Sequence, residues 1–250
     1  MITVTVANQK GGVGKTTTAV TLAHGLALQR YSVLLVDLDP QGQCASHLGL
    51  ADEPGVFNLL VNSPPLLDVV RTTGRANFWL LPGDKRSKTA ETLLALERRG
   101  VDLLAGLLRE QIDGDRLHYV VLDTAPSAGG LQENALYAAD LLIIPSAVDH
   151  LSLEGMAEVL KTLEALGRPS PPLMWILPTF YDEVTRESRV NLQRLRETFG
   201  DLVLEPVHRA TILRECPAMG KTIFEHDPES RAAEEYACLV WRVRETVEGR

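Results

Sequence analysis

Ala7-Asn8-Gln9-Lys10-Gly11-Gly12-Val13-Gly14-Lys15-Thr16-Thr17-Thr18 is the stretch whose reading decides the fold. It follows the alternating Ile2, Val4 and Val6 of an expected strand and opens an expected helix. A glycine-rich turn between a strand and a helix is the setting of a phosphate-binding loop. Its glycines let the chain turn tightly and bring backbone N–H groups against phosphate oxygens. The helix N-terminus adds partial positive charge. Read this way, Gly11, Gly12, Val13, Gly14, Lys15, Thr16 and Thr17 bind a nucleotide. Lys15 reaches the β- and γ-phosphates, and the Thr16 hydroxyl binds Mg2+. The bland alternative is a glycine-rich turn without a ligand. Glycines, lysine and threonine in one register weigh against it.

Working outward, short apolar runs alternate with segments of helical length. Strands are expected at Ile2–Ala7, Ser32–Val36, Phe78–Leu81, His118–Leu122, Leu141–Pro145 and Leu173–Pro178. Helices are expected at Lys15–Arg30, Thr89–Gln111, Leu153–Leu166 and Arg189–Phe199. This alternation predicts an α/β fold, a doubly wound, mostly parallel sheet flanked by helices. Continuous apolar strands fit a sheet buried on both faces. No repeat or linker divides the chain, so a single domain over residues 1–250 is expected. Tyr236, Leu239, Val240, Val243 and Val247 fall at helical spacing near the C-terminus. Core packing is favoured there over a membrane anchor, because Arg242, Arg244 and Arg250 are matched by Glu234, Glu235, Glu245 and Glu248.

Two further expected strand ends carry acids. In Val36-Asp37-Leu38-Asp39-Pro40-Gln41-Gly42 the two carboxylates stand at i and i+2, so they point the same way. That edge of an open α/β sheet is where ligands sit. One carboxylate can help hold a hydrated metal and the other can orient an attacking water. Either could instead cap the following helix. Tyr119-Val120-Val121-Leu122-Asp123 is an apolar strand ending in an acid, a Walker B arrangement. There Asp123 holds Mg2+ through water. Thr124–Gly130 would follow it as a nucleotide-sensing switch loop.

Composition narrows the setting. The chain has 250 residues, 25 Lys+Arg against 33 Asp+Glu, and a net charge of −8. This argues against a uniformly basic nucleic-acid coat but does not exclude a local basic face. The three cysteines, Cys44, Cys216 and Cys238, make neither a disulfide framework nor a zinc spacing. No secretory leader or membrane span is visible, so a cytoplasmic setting without a membrane partner is expected.

Lys10 opens the loop directly before Gly-Gly. Lys-Gly-Gly-Val-Gly-Lys-Thr resembles the deviant Walker A motif of the ParA/MinD group of P-loop ATPases. In that group the extra lysine reaches across a dimer to the partner's nucleotide. The resemblance continues in Asp149–Leu153 with Glu154-Gly155, in Leu177-Pro178-Thr179-Phe180-Tyr181-Asp182, and from Val207 to Tyr236. It is weakest over Asp52–Arg116. The chain is similar to ParA-type partitioning ATPases of the small, Soj-like form. That resemblance implies Lys10, Lys15 and Asp39 as catalytic residues, with Asp39 positioning the water. It places Thr16, Asp37 and Asp123 around Mg2+, and Thr179, Phe180, Pro206 and Val207 around the base of ATP. The loop begins at residue 10, so no operator-binding helix-turn-helix is expected before it. No cysteine lies in or just after Asp123–Gly130, which disfavours the iron–sulfur branch of the same group.

Between Arg186 and Lys221 seven basic residues face five acidic ones, +2 locally. Charge alone fits a solvated face. The resemblance favours DNA contact through Arg186, Arg189, Arg209, Arg214 and Lys221, salt-sensitive and independent of sequence. It further implies an ATP-dependent homodimer, nucleoid association, and a ParB-like or cargo-adaptor partner. The alternatives are a MinD-like membrane-surface regulator and an ATP-dependent metabolic enzyme of the same fold.

Overall fold

A computed structural model describes residues 1–51, 55–97, 99–112, 116–148 and 152–248. Of the Asp149–Leu153 stretch, residues 149–151 and the side chains of residues 152 and 153 therefore lie outside the described structure. The chain order is β1 (Ile2–Val6), α1 (Lys15–Leu28), β2 (Val33–Asp37), α2 (Gln43–His47), α3 (Val56–Asn62), α4 (Leu66–Val69), β3 (Arg71–Thr72), β4 (Phe78–Leu81), α5 (Ser87–Leu96) and α6 (Leu103–Gln111). It continues with β5 (Tyr119–Asp123), α7 (Gly130–Ala138), β6 (Leu141–Ala147), α8 (Ser152–Ala165), β7 (Leu173–Thr179), α9 (Arg186–Phe199), α10 (Ile212–Glu215), α11 (Ile223–His226) and α12 (Arg231–Glu248).

The seven strands form one sheet in the order β3-β4-β2-β5-β1-β6-β7. All neighbours run parallel except the short edge strand β3. Every residue of β2 and β5 is buried, which explains their uninterrupted apolar sequence. On one face α1 and α12 cover Val4, Val33, Leu35 and Val121. On the other, α3, α5, α6 and α7 cover Leu34, Val36, Val120 and Leu122. Because β1 lies between β5 and β6, successive crossovers leave in opposite directions beside it. The crevice at that switch point opens at the carboxyl ends of β1, β2 and β5.

The expected helix over Thr89–Gln111 is two helices, α5 and α6, which end and restart around Gly100. Glycine costs roughly 1 kcal/mol in a helix interior relative to alanine. The two pieces also bury different faces, Ala90 and Leu94 from α5, then Leu104 and Leu108 from α6. The terminal helix α12 packs Tyr236, Leu239, Val240 and Val243 into the core, with Val240 pressed onto Gly25 of α1. Among the described residues no helix is long and apolar enough to cross a membrane.

A polar knot ties this core to the chain before α11. His24 is 4% exposed, its Nδ1 lies 2.6 Å from Thr222 Oγ1, and its ring stacks on Phe78. Arg75 pairs with Glu225 at 2.8 Å and donates to the carbonyl of Gly220. Burial pushes the His24 imidazole down to about 4. The unfolded chain, with an ordinary histidine, therefore binds the extra proton between about pH 4 and 6.5. Stability rises with pH across that window, by on the order of 2–3 kcal/mol from this group. His24→Gln should remove this part of the slope. Urea unfolding of both chains at pH 4.5 and pH 7 checks it, and equal slopes would refute the assignment.

Candidate functional site

The loop after β1 turns on Gly12 and Gly14, both left-handed at φ 73° and 88°. Side chains other than glycine rarely adopt that backbone. A Cβ at Gly11 or Gly12 would meet no described atom within 4 Å, so the loop leaves an open cradle above the helix end. Lys15 is buried, 6% exposed, and its Nζ donates to the Lys10 carbonyl at 2.9 Å. Burial lowers its pKa, while the charges of Asp123 and Asp39 oppose that shift.

The start of the loop is clamped. The Lys10 N–H donates to Asn8 Oδ1 at 2.9 Å, and Asn8 Nδ2 donates to the Pro145 carbonyl at 2.8 Å. Gln9 Nε2 donates to Gln132 Oε1 at 2.9 Å, and Gln132 Nε2 donates to the Ala125 carbonyl at 3.3 Å. The phosphate loop is thereby joined to the loop after β5. Gly155 of α8 touches this clamp: a Cβ there would collide with Asn8 Oδ1 and lie 2.9 Å from the Lys10 backbone nitrogen. Gly155→Ala must push α8 or the loop aside, costing about 1–3 kcal/mol, as overpacking does. Because the displaced atoms anchor the backbone of the phosphate loop, nucleotide affinity should fall with stability. Denaturant midpoints and a nucleotide titration check this; a variant unchanged in both would show that the contact is soft.

On the acidic side, parallel pairing sets Asp37 opposite Asp123 at the ends of β2 and β5. Both are fully buried. Asp37 Oδ1 accepts from the Asp39 N–H at 3.0 Å, and its Oδ2 accepts from the Cys44 N–H at 2.9 Å. Asp37 therefore also caps α2 from a distance. Burial first, then the neighbouring Asp123 charge, pushes Asp37 well above the usual carboxylate range. Burial pushes Asp123 up to about 6, with Thr16, the Cys44 thiol and Lys15 pulling the other way. Among the described residues Asp123 Oδ1 has no hydrogen-bond partner. An orphaned buried carboxylate oxygen is costly unless a cation completes it. Thr16, Asp37 and Asp123 supply hard oxygen donors there and fit hydrated magnesium. Asp39 lies just beyond β2, 8% exposed, with Oδ1 accepting from the Gln41 N–H at 2.8 Å.

The third wall is a cavity of about 400 Å³ beside the phosphate loop. Gly12, Gly14, Thr17, Thr179, Phe180 and Val207 line it. Thr179 Oγ1 donates to the Val13 carbonyl at 2.9 Å, which fixes β7 to the loop. Phe180 takes a left-handed backbone at φ 53° as the chain leaves β7. Pro206, expected with them, lines a different cavity with Leu177 and Trp241. The chain is extended there, with Val207 N–H on the Pro178 carbonyl, and neighbouring side chains of an extended segment face opposite ways. Val13 contributes backbone only, its side chain being core.

The five arginine and lysine candidates do not share one setting. Arg186 and Arg189 begin α9, and Arg189 Nη1 is turned back onto the Glu183 carbonyl at 2.7 Å. Arg209 and Lys221 are exposed on the segments after α9. Arg214 lines the cavity beside the phosphate loop, a place that its charge alone did not indicate. His47 of α2 lines the same cavity, and no motif announced it. Gly83 is another unannounced member. A Cβ on it would lie 2.5 Å from the Asp37 carbonyl oxygen and 2.8 Å from that of Asp39. Only glycine fits beneath the acidic loop. Its isolated position after β4 gave no signal.

Residues 1–171 match the family described as AAA domain. The chain is 40% identical to the chromosome-partitioning ATPase Soj of Thermus thermophilus, over 98% of this chain and 96% of that one. The chain belongs to the Soj/ParA family of partitioning ATPases. Among solved structures, apo McdA of Cyanothece superposes on this family member with a TM-score of 0.84 at 23% identity, covering 94% and 96% of the two chains. That likeness is one of fold. Cobyrinic acid a,c-diamide synthase of Mycobacterium smegmatis, with bound ATP analogue and magnesium, superposes with a TM-score of 0.83 at 30% identity, covering 100% and 97%. Partitioning ATPases and a synthase thus share the scaffold of this Soj/ParA protein.

Proposed function

We propose that this Soj/ParA protein binds ATP with Mg2+, dimerises on it, and binds DNA without sequence preference. It thereby positions a DNA or protein cargo on the nucleoid, with hydrolysis raised by a ParB-like or adaptor partner. The observation that carries this reading is the division of labour between two lysines in one loop. Lys15 is buried, with the charges of Asp123 and Asp39 acting on it, and would meet the phosphate charge of its own site. Lys10 stands at the loop's clamped outer end. A second cis lysine adds nothing the first does not supply, whereas a trans lysine joins two subunits only when a triphosphate is present.

Nucleotide phosphates would draw Lys15 Nζ away from the Lys10 carbonyl. Thr16, Asp37 and Asp123 would hold the hydrated magnesium, which neutralises phosphate charge when bound. Thr179, Phe180 and Val207 would bound the base. Asp39 would orient the attacking water. Arg186, Arg209 and Lys221 supply exposed cations, and a two-fold dimer presents each twice.

Sedimentation with a slowly hydrolysed ATP analogue, with ADP and without nucleotide tests the reading, joined to DNA binding at two salt concentrations. A dimer of about twice 27.4 kDa that binds DNA only with the triphosphate, more weakly at high salt, is the expected result. A monomer indifferent to DNA in every state would favour a synthase-like enzyme. Asp39→Ala should keep ATP binding and persist as a dimer, because phosphate contacts remain while water positioning fails. If it hydrolyses ATP at the parent rate, Asp39 does not orient the water.

A further inference from the structure

Beneath the proposed magnesium position lies a donor that magnesium does not use. Cys44, the second residue of α2, is fully buried, and its Sγ donates to Asp123 Oδ2 at 3.4 Å. One ligand atom each from Asp37, Cys44 and Asp123 lies within 4.8 Å of the other two. Mg2+ is a hard cation that takes oxygen and keeps its waters, so a thiol is of no use to it. Zn2+, Cd2+ and Co2+ accept one sulfur with oxygens in a four-coordinate shell.

We propose that Asp37, Cys44 and Asp123 form a binding site for a thiophilic divalent cation, Zn2+ in the first instance, with solvent as the fourth ligand. Tetrahedral zinc with Zn–S of ~2.3 Å and Zn–O of ~2.1 Å sets sulfur and oxygen about 3.5 Å apart. The Cys44–Asp123 edge already has about that length, at 3.4 Å, and the other two edges do not exceed 4.8 Å. Asp123 belongs to this cluster, and its Oδ1 is buried without a hydrogen-bond partner among the described residues. Charge balances as well. Two carboxylates and one thiolate carry −3, which a divalent cation and the Lys15 ammonium cancel. Binding is ligand exchange without redox: the metal–sulfur bond forms as the Cys44 S–H proton leaves to solvent. The backbone N–H of Cys44 already holds Asp37, so thiol and carboxylate are positioned together.

Occupancy by such a cation would exclude the productive magnesium–nucleotide complex, and this consequence alone rests on the proposed magnesium role of Asp37 and Asp123. The test uses the full chain in a Cys216→Ala, Cys238→Ser background, so that Cys44 is the remaining thiol. Anaerobic titration with Co2+ should produce the intense visible bands of four-coordinate cobalt and a near-ultraviolet thiolate-to-cobalt band. Zn2+ should abolish both stoichiometrically. Adding Cys44→Ala or Cys44→Ser should remove the charge-transfer band, and Asp123→Asn should weaken Co2+ affinity at least tenfold. Under fixed Mg2+ and ATP, Zn2+ should inhibit the parent, with Cys44→Ala at least tenfold more resistant. No charge-transfer band in the background chain, or a band that survives Cys44→Ala, overturns the site. A Cys44-dependent band with hydrolysis untouched by Zn2+ supports the cation site and overturns the placement of magnesium at Asp37 and Asp123.

Discussion

Lys10→Ala should leave ATP affinity nearly intact while ATP-dependent dimerisation falls by roughly two to four orders of magnitude. Lys15 still supplies the charge of its own site, so the bound monomer loses little. Across the interface each Lys10 makes a charge-assisted contact that water does not replace, on the order of 1.5–3 kcal/mol. A two-fold interface contains two of them, so about 3–6 kcal/mol is lost per dimer. DNA binding should fall with the dimer, since only the pair presents both basic faces. Sedimentation with an ATP analogue, read beside nucleotide titration of the monomer, separates the two effects. A Lys10→Ala chain that dimerises and binds DNA like the parent defeats the trans-lysine reading. One that loses ATP affinity by the same factor places Lys10 in its own site instead.

Lys15→Ala should cost at least about a hundredfold in nucleotide affinity, roughly 3 kcal/mol or more. The ammonium is the only buried cation shown facing Asp123 and Asp39 among the described residues. Its removal exposes incoming phosphates to uncompensated carboxylates as well as deleting an attraction. Lys15→Gln divides these contributions. Its amide can still donate to the Lys10 carbonyl, so the empty loop should keep its shape. The charge is gone, so binding should fail almost as badly as in Lys15→Ala. Calorimetric titration with ATP and ADP, beside urea unfolding of the empty chains, reads both. If Lys15→Gln binds ATP as tightly as the parent, the loop's N–H groups alone hold the phosphates.

Much of this was open to reading because the relevant order is local. Gly12-Val13-Gly14-Lys15-Thr16 needs left-handed backbone at two places within three residues, and only its own composition supplies that. The strands β2 and β5 are buried on both faces, so their apolar runs announced them. Asp37 and Asp123 close those runs, so their shared edge followed from parallel pairing. Tyr236, Leu239, Val240 and Val243 of α12 likewise matched its docked face, while the Val247 side chain lies outside the described residues. Between Asp52 and Arg116 the signal faded. There short elements bury only a few side chains each, and the edge strand β3 has two residues. Too little periodicity accumulates in such pieces to separate helix, strand and loop.

Contacts between distant segments carry no such signature. Gly155 sits under Lys10 because α8 crosses the loop 145 residues away in sequence, and Gly83 sits under Asp37 and Asp39 because β4 pairs with β2. Pro206 and Val207 are neighbours in sequence yet line different cavities, since an extended backbone sends adjacent side chains apart. Arg214 joined the basic stretch by composition, but the path of α10 sets it beside the phosphate loop. Nothing in the spacing of the three cysteines singles out Cys44, whose sulfur α2 sets against Asp123. The sequence by itself determined the fold class, the phosphate loop and the acids at the strand ends, because each depends on residues a few positions apart. Which side chains close around that loop was decided only by the tertiary structure, because their approach is set by how helices cross the sheet, an arrangement no short stretch of chain encodes.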